Sequence, residues 1–94
     1  MNREILYEVW NGAMDDGTER SIRPGDWVFV EEGLPLEARA VYLVEAQGGL
    51  HLREARWEGA WVFAPWNPAH PAFPLEGVRV VGRVVRAVAF KALG

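Results

Sequence analysis

Residues 39–56 read RAVYLVEAQGGLHLREAR. Two short runs rich in β-branched and aromatic residues flank a Gly-Gly pair. The first is Ala40-Val41-Tyr42-Leu43-Val44, and the second carries Leu50, His51, Leu52 and Arg53. Two such runs joined by glycines at this spacing predict a β-hairpin. The period that organises the chain is therefore two residues, not 3.6.

The same period continues outward. Ile5, Tyr7 and Val9 alternate with Leu6, Glu8 and Trp10, predicting a first strand near residues 3–10. NGAMDDGTERSIRPGD follows and is loop chemistry, rich in Gly and Asp. Trp27-Val28-Phe29-Val30 is a second strand. Beyond the hairpin, Glu58-Gly59 reads as a tight turn into Trp61-Val62-Phe63. The last run, Val78 to Phe90, is apolar on both faces, which suits a central strand or a subunit interface. Gly82 within it predicts a bulge or bend. No segment has helical periodicity, so the expectation for residues 1–94 is a single all-β domain of short, mostly antiparallel strands.

Composition narrows the function. The 94 residues are half hydrophobic, include five tryptophans, and carry a formal charge of -3. An acidic balance argues against a dedicated nucleic-acid binder, which usually presents a basic face. No cysteine is present, so thiolate metal sites are excluded. No membrane-length apolar run and no secretory leader are evident, so a cytoplasmic protein without membrane partners is expected. Ser21 is the only serine, Thr18 the only threonine, and Lys91 the only lysine among ten Lys and Arg. Few side chains are left to act as a nucleophile.

The candidates for chemistry sit mostly in the loop 11–25. Ser21 and Thr18 are placed to satisfy turn backbone groups, although Ser21 with His51 would form a relocated hydrolytic pair. Asp15, Asp16 and Glu19 cluster there as a weak cation site or a solvated loop tip. His51 and His70 have no ligand-like spacing, so no metal and no cofactor are expected. Trp57, Trp61 and Trp66 would stack on bases in an OB-type nucleic-acid barrel, or simply pack. Pro65, Pro68, Pro71 and Pro74 recur every third residue, the register of a polyproline II ligand. The aromatics between them favour burial instead.

Taken in order, these pieces resemble a family. Met14 closes a small-residue loop, Ile22-Arg23-Pro24-Gly25-Asp26 leads into Trp27-Val28-Phe29-Val30, and a hairpin follows. Pro65-Trp66-Asn67-Pro68-Ala69-His70-Pro71 and Val80-Val81-Gly82-Arg83-Val84-Val85 complete the pattern, which spans almost the whole chain. It is similar to the C-terminal domain of LexA-like proteins and lambda-type phage repressors, the S24 self-cleaving peptidases.

The resemblance implies that the proline-rich segment is a structural strap between strands. It also implies a serine–lysine dyad, and here Ala13 stands in the serine's place and Leu52 in the lysine's. The chain contains no Ala-Gly dipeptide for self-cleavage, and no helix-turn-helix precedes its first strand, so direct nucleic-acid binding is not expected. The implied role is that of an inactive domain acting in transcriptional or stress-response regulation. It would do so by homodimerisation or by pairing with a related LexA-like protein. Val80, Val84, Val88 and Phe90 are the expected dimer strand. Ala13 and Leu52 should face each other across a shallow cleft. Leu50 shares the face of Leu52, with His51 and Arg53 opposite.

Overall fold

The structure, a computed structural model, describes residues 3–89. It is all-β. The strands are β1 (Glu4–Glu8), β2 (Trp27–Glu31), β3 (Val41–Ala46), β4 (Gly49–Trp57), β5 (Trp61–Ala64), β6 (Phe73–Pro74) and β7 (Arg79–Val88). They form one sheet in the order β1-β2-β7-β3-β4-β5-β6, and every neighbouring pair is antiparallel. A single 3-10 turn, Leu75–Gly77, is the only helical piece among the described residues.

The turns follow from local chemistry. Gln47 and Gly48 both hold positive φ, 50° and 78°, the primed two-residue turn that matches strand twist. Gly49 then opens β4 opposite Ala46, so the turn lies one residue earlier than the Gly-Gly reading placed it. Pro24 and Gly25 form the turn before β2. Gly25 supplies a φ of 94°, and Asp26 closes the turn by donating its N–H to the Arg23 carbonyl and accepting the Arg23 N–H on its carboxylate. β1 ends at Glu8 rather than residue 10, although Val9 still exchanges backbone hydrogen bonds with Gly25 and Asp26.

Alternation along the strands splits the apolar residues into two cores, one on each face. The first contains Val9, Met14, Ile22, Val28, Val30, Leu43 and Leu52, with Ile5, Tyr7, Leu50, Trp66, Val81 and Val84 packed against it. The loop 9–26 closes over it. The second contains Tyr42, Val44, Ala46, Ala55, Phe63 and Phe73, joined by Leu36, Trp61, Val78 and Val80. Tyr42 ties the segment after β2 to this core, because its hydroxyl donates to the Pro35 carbonyl and accepts the Glu37 N–H. β3 lies between the two cores with Tyr42, Leu43 and Val44 all buried, which accounts for its continuous apolar run Val41–Val44.

β7 is central, as its two-faced apolar run predicts. It carries two bulges. Val85 is extra against β2, where Phe29 pairs with Arg86 and Val30 with Val84. Val81 is extra against β3, where Leu43 pairs with Gly82 and Val44 with Val80. Each extra residue inverts the alternation. Val80 therefore packs on the second core and Val84 on the first, while Val88 is exposed. Of the residues expected in a dimer strand, Val80 and Val84 thus pack inward and Val88 lies at the surface. Phe90 lies outside the described residues.

Gly82 sits where β7 packs tightly against β2. A Cβ there would lie 2.7 Å from the Glu31 carbonyl oxygen and 2.7 Å from Val30 Cγ1. No carbon fits at that distance from backbone, so the strand requires glycine. We expect Gly82→Ala to destabilise the fold by about 1–3 kcal/mol, the usual cost of overpacking. Gly12→Ala, which meets nothing within 4 Å, should change little. Urea unfolding of the two variants makes the comparison.

Candidate functional site

Ala13 is buried at the junction of the loop 9–26 with the proline-rich strap. Its carbonyl accepts two N–H groups from the strap, those of Trp66 and Asn67, at 3.0 and 2.9 Å. Its own N–H donates to Asn11 Oδ1. Asn67 completes the clamp, with its side-chain amide donating to the Gly12 carbonyl while its Oδ1 accepts the Ala69 N–H. The strap is therefore part of the fold. Trp66 is held further by Glu54, which accepts its indole N–H, and by the Arg20 guanidinium 4.1 Å above its ring.

Leu52 projects into the first core beside Met14, with Leu50 on the same side. His51 and Arg53 project to the opposite face. The His51 ring lies 5.1 Å from Phe73 and its Nε2 meets the Ala46 carbonyl. Arg53 is buried and has no carboxylate partner among the described residues. It donates instead to the carbonyls of Pro71 and Leu52 and lies over the Phe73 ring. Burial lowers its pKa, yet a guanidinium still keeps its proton.

Between Leu52, Met14, Val9, Tyr7, Trp10 and Asn11 there is a cavity of only about 10 Å³, room for roughly one water. Burial raises the pKa of the Tyr7 hydroxyl, partly offset by a hydrogen bond from Trp10, so it is no base. Ala13, Met14 and Leu52 offer no proton acceptor with which to activate a nucleophile.

The structure does not bring Ser21 to His51. Ser21 belongs to the loop that covers the first core, whereas His51 faces the second. The Ser21 hydroxyl donates to Asp16 Oδ1 and accepts the Asp16 N–H. Asp16 also accepts from Thr18 and from Arg20 Nε. These donors hold its carboxyl well below the usual range, the Thr18 and Arg20 side chains contributing most. A carboxylate so weakly basic is a poor proton acceptor for a serine. Asp15 accepts the Gly17 N–H, so the two aspartates serve as turn caps. No three His, Asp or Glu among the described residues converge as metal ligands.

A wide depression of roughly 430 Å³ lies between Arg20, Arg39, Glu54, Arg56, Trp57 and Glu58. Arg20 and Arg56 are already paired with Asp16 and Glu54, so its charges are largely balanced. Trp57 is exposed but packs edge-on against Trp61.

The most distinctive surface is one the sequence alone did not reveal. On the face of the second core, no other described residue covers the part of the sheet made by β1, β2 and β7, where Leu6 and Val88 are exposed. Cross-strand register aligns Leu6 with Phe29 and Arg86, and Glu8 with Trp27 and Val88. Leu6 and Val88 are 53% and 43% exposed, and the Arg86 guanidinium lies 4.1 Å from the Phe29 ring centroid. Leu6, Trp27 and Phe29 each stand in runs that are apolar on both faces. Only the strand order shows that they share one surface.

No protein-family model and no curated protein matches the chain. Among the described residues no helix is long and apolar enough to cross a membrane.

The depressed Asp16 carboxyl has a measurable consequence. Its pKa is 3.8 when unperturbed and lower in the fold. The stability it contributes is therefore full above about pH 5 and is lost as pH falls through the folded-state value. Asp16→Asn should lower the urea midpoint at neutral pH. That difference should shrink progressively below about pH 4, and a gap independent of pH would contradict the charge-based account.

Proposed function

We propose that the chain is a catalytically silent domain of the LexA-like, S24 kind that works by association with another protein. The observation that carries this reading is the chemistry at the Ala13 junction. The position matching the family's serine holds a buried methyl group, and Leu52 matches its lysine with a buried isobutyl group. A working lysine at that apolar site would need its charge desolvated and its pKa depressed, and leucine removes that cost. The replacement favours stability over chemistry. The strap, the Pro24-Gly25 turn and the hairpin are consistent with the same resemblance.

Association is the function that such a domain keeps, and the open half-face of β1, β2 and β7 is the surface suited to it. The expected partners are a second copy or a related LexA-like domain, in a regulatory setting. Direct nucleic-acid contact is not part of this reading.

A serine-directed acylating reagent tests the silent half of the proposal. The parent chain should remain unlabelled, and Ser21→Ala should make no difference. Ala13→Ser combined with Leu52→Lys should be less stable by about 2 kcal/mol or more, because it buries an amine, and it should gain some labelling. Labelling of the parent that disappears in Ser21→Ala would overturn the reading in favour of a relocated nucleophile.

A further inference from the structure

We propose that Asn11–Gly12 is a self-modifying site, at which the Asn11 amide is converted to aspartate and isoaspartate and the strap is thereby loosened. The Ala13 junction supplies the parts. Asn11 Oδ1 accepts the Ala13 N–H at 3.0 Å, which folds the side-chain carbonyl back over the peptide that follows. The nitrogen of that peptide belongs to Gly12, whose N–H meets no protein acceptor among the described residues. Glycine sets no Cβ beside the attacking nitrogen, and a Cβ built there would meet nothing within 4 Å. Both residues are half-buried, so solvent still reaches them.

The chemistry follows from this placement. The Gly12 nitrogen attacks Asn11 Cγ, closes a five-membered ring, and gives its proton to solvent. The carbonyl electron pair moves onto Oδ1, where the Ala13 N–H stands ready as a preorganised donor to the developing oxyanion. Collapse re-forms the carbonyl and breaks the Cγ–Nδ2 bond, and the amide leaves as ammonia with a proton from water. Water then opens the cyclic imide at either carbonyl. One opening gives aspartate. The other gives isoaspartate, in which the main chain runs through the side-chain carbon. The net change consumes a water and releases an ammonia, with no cofactor or oxidant. Asn67 is spared this reaction, because Pro68 follows it and has no N–H to give up.

The position gives the reaction its consequence. Isoaspartate adds a carbon to the main chain immediately before Gly12 and Ala13. The carbonyls of those residues hold the strap, through Asn67 Nδ2 and through the N–H groups of Trp66 and Asn67. A lengthened main chain moves both carbonyls out of register with their donors. Asn11 also borders the small cavity beside Met14 and Leu52, so either product brings a carboxylate to the edge of the first core, at a cost in desolvation. The strap is tight in new chains and loose in old ones.

Mass spectrometry of the whole chain, aged at neutral to mildly alkaline pH, tests this. Trypsin releases Glu4–Arg20 afterwards, in which Asn11 is the sole asparagine. The native chain should convert Asn11 at least about tenfold faster than the same chain unfolded in guanidinium chloride, because only the fold aligns nitrogen, carbonyl and donor. Asn67 should stay an amide in both. Fragmentation that separates isoaspartate from aspartate should find both products. Gly12→Ala should slow the native conversion at least about tenfold by crowding the nitrogen. In aged protein the Trp66 and Asn67 amides should exchange hydrogen at least about tenfold faster than in fresh protein, and Gly12→Ala aged alongside should show no such change. A native chain that converts Asn11 no faster than the unfolded one would overturn the inference. Converted protein whose Trp66 and Asn67 amides stay protected would overturn it equally. Neither result touches the acylation experiment, so this inference and the proposed function fail separately.

Discussion

Among the described residues, the two parts of the sheet pair with each other only through β7. β1 and β2 form one block, β3 to β6 the other, and β7 lies between them. Everything described above depends on that strand fitting, and it fits because of two bulges and one glycine. The bulges let a single strand follow two partners with different registers. Gly82 allows its backbone to approach the Glu31 carbonyl where any side chain would collide. The same bulges invert which residues face inward, so they decide that Val80 and Val84 stabilise the cores while Val88 stays at the surface.

The junction at Ala13 is secured from the strap side rather than by its own side chain. Two N–H groups on one carbonyl, and an asparagine bridging to the preceding residue, amount to a few net hydrogen bonds of about 1 kcal/mol each. Arg53 extends the hold on the strap from the opposite face of β4, through the Pro71 carbonyl. A buried guanidinium with no carboxylate beside it among the described residues is an unusual choice, since desolvating the charge opposes folding. Its two carbonyl acceptors and the Phe73 ring face compensate for part of that cost. Leu52 and Arg53 therefore do opposite kinds of work on adjacent positions, one filling a core and the other fastening a loop.

Much of this architecture can be read from the residues. The alternation of Val41 to Ala46, the Pro24-Gly25-Asp26 turn, and the apolar character of β7 each point to their observed places. The positions of Leu50 and Leu52 opposite His51 and Arg53 follow directly from a period of two. The hairpin turn was misplaced by one residue because Gln47 tolerates positive φ as the second glycine was expected to. The division of Val80 from Val84 could not be seen, since a bulge depends on the registers of two partner strands at once. The open half-face was invisible for the same kind of reason. Leu6, Phe29 and Arg86 are far apart in the chain and become one row only when strand order is known. The Ser21 hydroxyl, by contrast, sits in a local Asp-rich turn, where nearby spacing alone suggested its role.

The place of β7 in the chain has a consequence for how the molecule comes into being. The strand that joins the two parts of the sheet is the last of the seven to be made. While the ribosome is still extending the chain, β2 and β3 each present an unsatisfied edge with nothing to pair against. Such edges invite pairing between neighbouring nascent chains. Closure must also await contacts of long sequence separation, which are slow to form. A sequence of this design favours an environment in which emerging chains are kept apart until the final strand slides home.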